Sequence, residues 1–347
     1  MRLVITADPY LPVPPRYYGG IERAIALLVD GLMARGHDVT LIAHPASTVG
    51  TRRESYGVPP HSGRAERVRE LAQLASRVWA HRANADLVHS FGRLAALAPV
   101  LPLRRLPKVQ SYQRPIPWRG VRRAHLLAGD SLLIAACSSS LYDHGTAGDR
   151  ARCRTVHNAI DTRLYTLALS VPAEAPLVFL GRLEAIKGVH HAIAIAREAG
   201  RRLIIAGNRV GTPSGNQYFE REIRPHLDRE RVRYVGEVDD AQKDALLGGA
   251  AALLMPIEWD EPFGIVMIEA LACGTPVIGF RRGAVPEVVR HGETGFICQT
   301  PSEAARLVAE LPTLSRSRCR EDVERRFSPT ALVDAYERVY RELAARQ

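Results

Sequence analysis

Two carboxylates with seven residues between them, Glu261 and Glu269, flank the point where the strand-length apolar run Ala252-Leu-Leu-Met-Pro256 gives way to helical spacing. From about Gly264, residues Val266, Met267, Ala270 and Leu271 recur with the period of one helix face. The residues just before that helix form its cap, where backbone N–H groups lack intrahelical partners and the dipole favours acceptors. Carboxylates placed there can accept hydrogen bonds from hydroxyls, while the amides of Phe263, Gly264 and Ile265 can donate to them, and the chemistry this suits is recognition of a polyol. A second pair, Arg182 and Lys187, sits where the apolar run Leu177-Val-Phe-Leu180 ends and a helix begins near Lys187-Gly188. The spacing Gly-x5-Lys-Gly, without Ser or Thr after the lysine, is not a Walker A loop. A guanidinium and an ammonium at a strand-to-helix turn instead make a two-point clamp for phosphate oxygens.

The elements that must position these groups alternate along the chain. Residues 2–7 read as a buried strand; Gly19-Gly20 opens the helix Ile21-Glu-Arg-Ala-Ile-Ala-Leu-Leu; Gly36 stops it, and 37–43 is a second strand. A glycine pair at a helix start lets backbone approach a diphosphate, although Gly-x-Gly-x-x-Gly is absent and a dinucleotide cofactor is not expected. Residues 48–65 read as a long, mobile loop over the cleft. Helix 66–83, strand 86–90, helix 93–104, strand 108–112, helix 118–128 and strand 131–138 continue the pattern, with His89 at a strand C-terminal end where ligands gather in open α/β sheets. Residues 166–176 read as a linker. Strands 177–181, 202–207 and 232–237 then alternate with helices 189–199, 215–226 and 240–250. Such alternation predicts parallel sheets wound on both faces, and 347 residues suit two domains of this kind.

Composition narrows the class further. Hydrophobic content of 46% and charged content of 24% are ordinary for a soluble globular chain. The first residues are too short an apolar run for a signal peptide and no stretch suits a membrane span, which gives a cytoplasmic expectation. Five scattered cysteines read as apolar or surface residues rather than disulfides or metal ligands. Among twelve histidines no metal spacing occurs; His190 and His191, being adjacent, should point to different sides of a helix. The net charge of +10 asks for a polyanion. A nucleotide diphosphate accounts for a few of these charges, and a basic face could dock on anionic lipid. Nucleic acid is not expected, because no recognition helix or RNA-binding signature is present.

The series Glu261-Pro-Phe-Gly264, Glu269-Ala-Leu-Ala-Cys-Gly-Thr-Pro-Val-Ile278, Gly283-Ala-Val-Pro-Glu287 and Gly292-Glu-Thr-Gly-Phe296 resembles, in order and spacing, the C-terminal half of retaining glycosyltransferases with the GT-B fold, in particular family 4 (glycosyltransferase group 1). The resemblance implies an α/β GT-B architecture of two Rossmann-like domains facing a central cleft. It divides the chain into an acceptor-binding domain at 1–160, a nucleotide-sugar-binding domain at 161–327 and a helix at 328–347 that crosses back. Glu261 would then lie by the donor sugar, Glu269 on the nucleotide ribose, and Arg182 and Lys187 on the leaving diphosphate. Gly19 and Gly20 would lie over the donor phosphates, with Gly207 and Val238 bordering the base. Many members carry a histidine near the donor sugar where this chain has Gln113, which keeps hydrogen-bonding capacity but removes a titratable group.

These readings converge on a retaining transfer from a nucleotide-diphosphate sugar, with UDP, GDP or another nucleotide, to a hydroxyl of a glycan, lipid-linked or secondary-metabolite acceptor. No cofactor and no metal are expected, since Asp-x-Asp, the usual metal-diphosphate device of GT-A enzymes, does not occur. A sugar-nucleotide epimerase or hydrolase of the same fold is the alternative enzyme, and a non-catalytic sugar- or lipid-binding module the alternative of another class. The presence of both carboxylates and both cations disfavours the module.

Overall fold

The structure is a computed structural model that describes residues 1–15, 19–57, 63–228 and 230–346. It divides into two compact units, Met1–Ile160 with Pro329–Gln347, and Asp161–Ser328. The first carries strands β1 (Arg2–Thr6), β2 (Asp38–Ala43), β3 (Arg52–Ser55), β4 (Leu87–Ser90), β5 (Lys108–Tyr112), β6 (Leu132–Ala136) and β7 (Cys153–Thr155). They form one parallel sheet in the order β3-β2-β1-β4-β5-β6-β7. Helices α1 (Gly20–Ala34), α2 (Arg64–Ala80), α3 (Trp118–Ala128) and α4 (Ala147–Ala151) connect the strands. The second unit carries β8 (Leu177–Leu180), β9 (Leu203–Ala206), β10 (Val232–Tyr234), β11 (Ala252–Met255), β12 (Val277–Phe280) and β13 (Gly295–Cys298), in the parallel order β10-β9-β8-β11-β12-β13. Its helices are α5 (Val189–Glu198), α6 (Pro213–Tyr218), α7 (Asp240–Gly248), α8 (Ile265–Ala272), α9 (Val285–Val288), α10 (Pro301–Leu307) and α11 (Arg316–Arg326). These are two doubly wound, Rossmann-like α/β units, the parts of a GT-B fold.

Strands buried on both faces favour continuous apolar sequence, and β6, β11, β12 and β13 are apolar and buried at every residue. One face of the first sheet packs Leu3, Ile5 and Val109 against Ile25, Leu28 and Leu32 of α1. Leu332, Val333, Tyr336, Val339, Tyr340 and Leu343 of the C-terminal helix, Pro329–Ala344, join the same core. The other face packs Val4, Ile42 and Val88 against Leu74 and Val78 of α2 and Val121 and Ala124 of α3.

Three expectations need correction. Residues 48–65 are not wholly loop: Arg52–Ser55 pairs in parallel with β2 as a polar edge strand, whose charge hides its strand character, while 58–62 lie outside the described residues. The helix expected at 93–104 shrinks to a 3-10 turn, Leu94–Leu97, because Pro99 and Pro102 withhold the donors that a longer helix needs. The one expected at 215–226 starts earlier, at Pro213, and passes into a π turn over Phe219–Ile223 and a 3-10 turn around Pro225. No helix among the described residues is long and apolar enough to cross a membrane.

Candidate active site

In an open parallel sheet, ligands collect beyond the strand C-termini where the strand order reverses. In the second unit that point lies between β8 and β11. The loop after β8 carries Arg182 and Lys187, and the loop after β11 carries Glu258 through Glu261. The two loops are stitched together by the Glu258 amide donating to the Ile186 carbonyl at 2.9 Å. Gly188, the N-cap of α5, makes this approach feasible: its φ is +73°, and a Cβ there would lie 1.9 Å from the Pro256 carbonyl oxygen.

This packing brings the Lys187 ammonium to 2.5 Å from Glu261 Oε2, with side chains only 15% and 12% exposed. Trp259 Nε1 donates to the same oxygen at 3.0 Å, and the ammonium lies 4.9 Å from the Trp259 ring centre. The Glu261 backbone is fixed from behind by Gly283. At φ +49° a Cβ on Gly283 would fall 2.3 Å from the Glu261 carbonyl oxygen and 2.4 Å from its nitrogen, and the next amide, Ala284, donates to that carbonyl at 2.9 Å. Arg182 pairs with Glu184 at 2.8 Å and is the more exposed of the two cations. Of the four groups expected to act together, Lys187 and Glu261 are thus in direct contact, whereas Arg182 is held on its own turn.

Glu269 lies on α8, buried, one turn past the helix start, with Gly264 as the N-cap in a left-handed conformation. Its Oε1 accepts from Tyr165 Oη and from Lys243 Nζ, both at 2.7 Å, which leaves Oε2 for a further donor. The Ile265 amide, at the first helical position, has no intrahelical acceptor, whereas the Met267 amide donates to the Gly264 carbonyl at 2.9 Å. Phe263 is buried edge-on against Phe327, ring centres 5.8 Å apart, and positions the cap rather than presenting its ring. Gly207 donates to the Gly236 carbonyl at 2.8 Å and accepts from Tyr234 Oη at 2.9 Å, joining the ends of β9 and β10. Val238, half-buried, immediately precedes Asp239, the N-cap of α7. Lys243, Tyr165 and Trp259 were not singled out from the sequence. Trp259 lies just before the Glu261-Pro-Phe-Gly264 series, and only the capping pair Asp239 and Gln242 marks the helix that delivers Lys243.

In the first unit, Gly19 caps α1 and Gly20 begins it, while Arg16 to Tyr18 of the expected glycine loop lie outside the described residues. Gln113 follows β5 and accepts from the buried Asn158 amide at 2.8 Å, leaving its own amide nitrogen as a donor. His89 is a correction. It is fully buried, with Nδ1 2.7 Å from Tyr340 Oη and Nε2 2.7 Å from Ser111 Oγ, and burial pushes its pKa down to about 3. Both ring nitrogens are committed to internal partners, so it is a core residue that ties the C-terminal helix to the sheet, not a group an acceptor or sugar reaches. The expectation that His190 and His191 diverge also fails: at the second and third positions of α5 their ring centres are 4.0 Å apart, because Tyr218 holds one and Glu258 draws the other. All five cysteines are buried and free.

Residues 171–331 match the model described as glycosyl transferases group 1, and residues 18–164 match that of glycosyltransferase family 4. A glycogen synthase of Mycobacterium tuberculosis is 30% identical over 368 aligned positions, covering 90% of this chain and 85% of its own. An N-acetyl-alpha-D-glucosaminyl L-malate synthase of Bacillus anthracis is 28% identical, covering 60% of this chain and 59% of its own. Among solved structures, a glycosyltransferase involved in avilamycin A biosynthesis superposes with a TM-score of 0.70 at 27% identity, covering 99% of this chain and 98% of that one. An Anabaena protein solved with UDP and glucose superposes at 0.73, with 19% identity, covering 99% and 100%.

Proposed function

From the premise that the chain belongs to the group 1, family 4 glycosyltransferases, we propose that it moves a sugar from a nucleotide-diphosphate donor to an acceptor hydroxyl with retention and without a metal. The observation that carries this reading is the Lys187–Glu261 pair at the strand-order reversal of the second unit. When a donor enters, Lys187 exchanges part of its contact with Glu261 for the leaving diphosphate, with Arg182 as the second cation. Charge that develops on the leaving oxygen is met by groups already held in place, the kind of stabilisation that dominates such transfers. Glu261, oriented by Trp259 and Gly283, accepts from a sugar hydroxyl. Amides at the start of α8 donate to neighbouring hydroxyls. Glu269 presents its second oxygen to the ribose while Tyr165 and Lys243 hold the first. Retention follows if the leaving phosphate oxygen takes the acceptor proton on the face from which the acceptor attacks.

A uridine donor is favoured over guanosine by the Anabaena structures solved with UDP and with UDP-glucose, and a glycan hydroxyl as acceptor by the glycogen synthase relative. A lipid-linked or secondary-metabolite acceptor remains within the same proposal, the latter favoured by the avilamycin enzyme. A cytoplasmic site of action, and contact of the basic surface with anionic lipid, belong to it as well. A thermal-shift screen of nucleoside diphosphates and their sugars tests the donor, since a specific ligand raises the midpoint by mass action. The reading expects one nucleotide to raise it and EDTA to leave transfer intact. No response to any nucleotide contradicts it, and consumption of the donor at the same rate without acceptor favours the epimerase or hydrolase.

A further inference from the structure

Behind the Lys187–Glu261 pair, the start of α5 gathers a second group of residues that the transfer reaction does not use. His191 Nε2 lies 2.9 Å from Glu258 Oε1, and His190 Nε2 lies 3.7 Å from the same oxygen. The ligand-type atoms of the three side chains all fall within 4.8 Å of one another, and among the described residues no other His, Cys, Asp and Glu side chains form such a group. We propose that His190, His191 and Glu258 form a binding site for a divalent transition-metal ion, two imidazoles and one carboxylate, distinct from the donor site.

Three features argue for a cation here rather than for hydrogen bonding alone. Ligands at 2.0–2.2 Å on a tetrahedral metal stand roughly 3.3 Å from one another, and 2.9 and 3.7 Å bracket that spacing, so small side-chain rotations suffice. At 3.7 Å His190 Nε2 is too far from the carboxylate to donate to it. Its other nitrogen, Nδ1, lies 2.8 Å from Tyr218 Oη, which also accepts the His190 backbone amide at 3.2 Å. Tyr218 Oη is therefore placed to accept from Nδ1–H and leave the Nε2 lone pair facing Glu258, the outer-shell arrangement that orients metal-bound imidazoles. Neutral imidazole with carboxylate suits Zn²⁺ and its neighbours better than Mg²⁺ or Ca²⁺. The buried cysteines offer no competing thiol.

A bound ion would cross-link the start of α5 to the loop that already reaches Ile186 through the Glu258 amide. It would add a second link at this corner of the second unit, which the Glu258–Ile186 backbone bond already ties, without taking part in the transfer. Isothermal titration of tag-free, EDTA-treated protein with Zn²⁺, paired with thermal unfolding, tests this. The parent should bind about one equivalent with a raised unfolding midpoint. His190→Gln, His191→Gln and Glu258→Gln should each weaken binding at least tenfold while unfolding near the parent midpoint without Zn²⁺. The three variants report independently, so one that misfolds does not remove the test. Absence of Zn²⁺ binding to the parent, or binding unchanged in the folded variants, overturns the proposal.

Discussion

Lys187 and Glu261 hold each other at 2.5 Å, and in the proposed reading a donor diphosphate draws on the same ammonium. Lys187→Ala should lower turnover by ~10²–10³, the usual cost of losing one contact to developing charge, and Arg182→Ala, whose guanidinium is more exposed and tied to Glu184, should lower it less. Steady-state kinetics on both variants check the order; equal losses would mean that Arg182 leaves Glu184 to share the charge. Around Glu269 the same logic reaches residues without a motif. Tyr165→Phe removes one of two donors to Oε1, so affinity for the nucleoside diphosphate should fall by about two- to tenfold, a smaller effect than losing Glu269 because Tyr165 acts on the ligand only through that carboxylate. At this scale the sequence was legible where a residue lies inside a dense motif, as Glu261, Glu269 and Lys187 do. It was not legible for Tyr165 and Lys243, which arrive from a loop and from one face of a helix and meet Glu269 only through the fold.

Elements place these groups by pressing backbone against backbone. Gly283 is the sharpest case, since a Cβ would meet the Glu261 main chain at 2.3 Å and no flexible side chain stands in between to give way. Gly283→Ala should destabilise the protein by about 1–3 kcal/mol, the range for enforced backbone strain, and should cut turnover by displacing Glu261. Thermal unfolding with kinetics measures both; a variant with parent midpoint and parent turnover would mean that the two loops are not joined as described. The alternation of strands and helices was readable where strands buried on both faces are uniformly apolar, as β6 and β11 are. Edge strand β3 is short and charged, which hides its strand character from the sequence, and the apolar spacing over 93–104 suits a longer helix than Pro99 and Pro102 allow.

Taken as a whole, the chain closes its first unit with its own last helix. Tyr340 and Ser111 each hold one nitrogen of His89, and Tyr336 lies 2.9 Å from Ser111 Oγ. With a pKa of about 3 when folded and an ordinary value near 6.5 when unfolded, His89 favours the unfolded state as pH falls. Its contribution is fully present above about 6.5 and is lost progressively toward 3. From pH 7 to pH 5 this should cost ~2 kcal/mol, and His89→Gln should flatten that part of the pH–stability curve; an unchanged slope in the variant would remove His89 as the cause. The sequence marked His89 as a ligand candidate from its strand-end position, since nothing in the sequence alone distinguishes a strand end open to ligand from one covered by a distant helix.

The roles assigned to the two glutamates make them separable in a binding experiment without an acceptor. In the proposed reading Glu269 meets the ribose, which nucleoside diphosphate and donor share, whereas Glu261 meets the sugar, which only the donor carries. A calorimetric titration of the parent, Glu269→Gln and Glu261→Gln with the nucleoside diphosphate alone therefore decides between them. The expected result is a loss of at least tenfold in affinity for Glu269→Gln, the scale of a charge-assisted hydrogen bond, and near-parent affinity for Glu261→Gln. Equal losses in both variants, or none in Glu269→Gln, would contradict this assignment of the site.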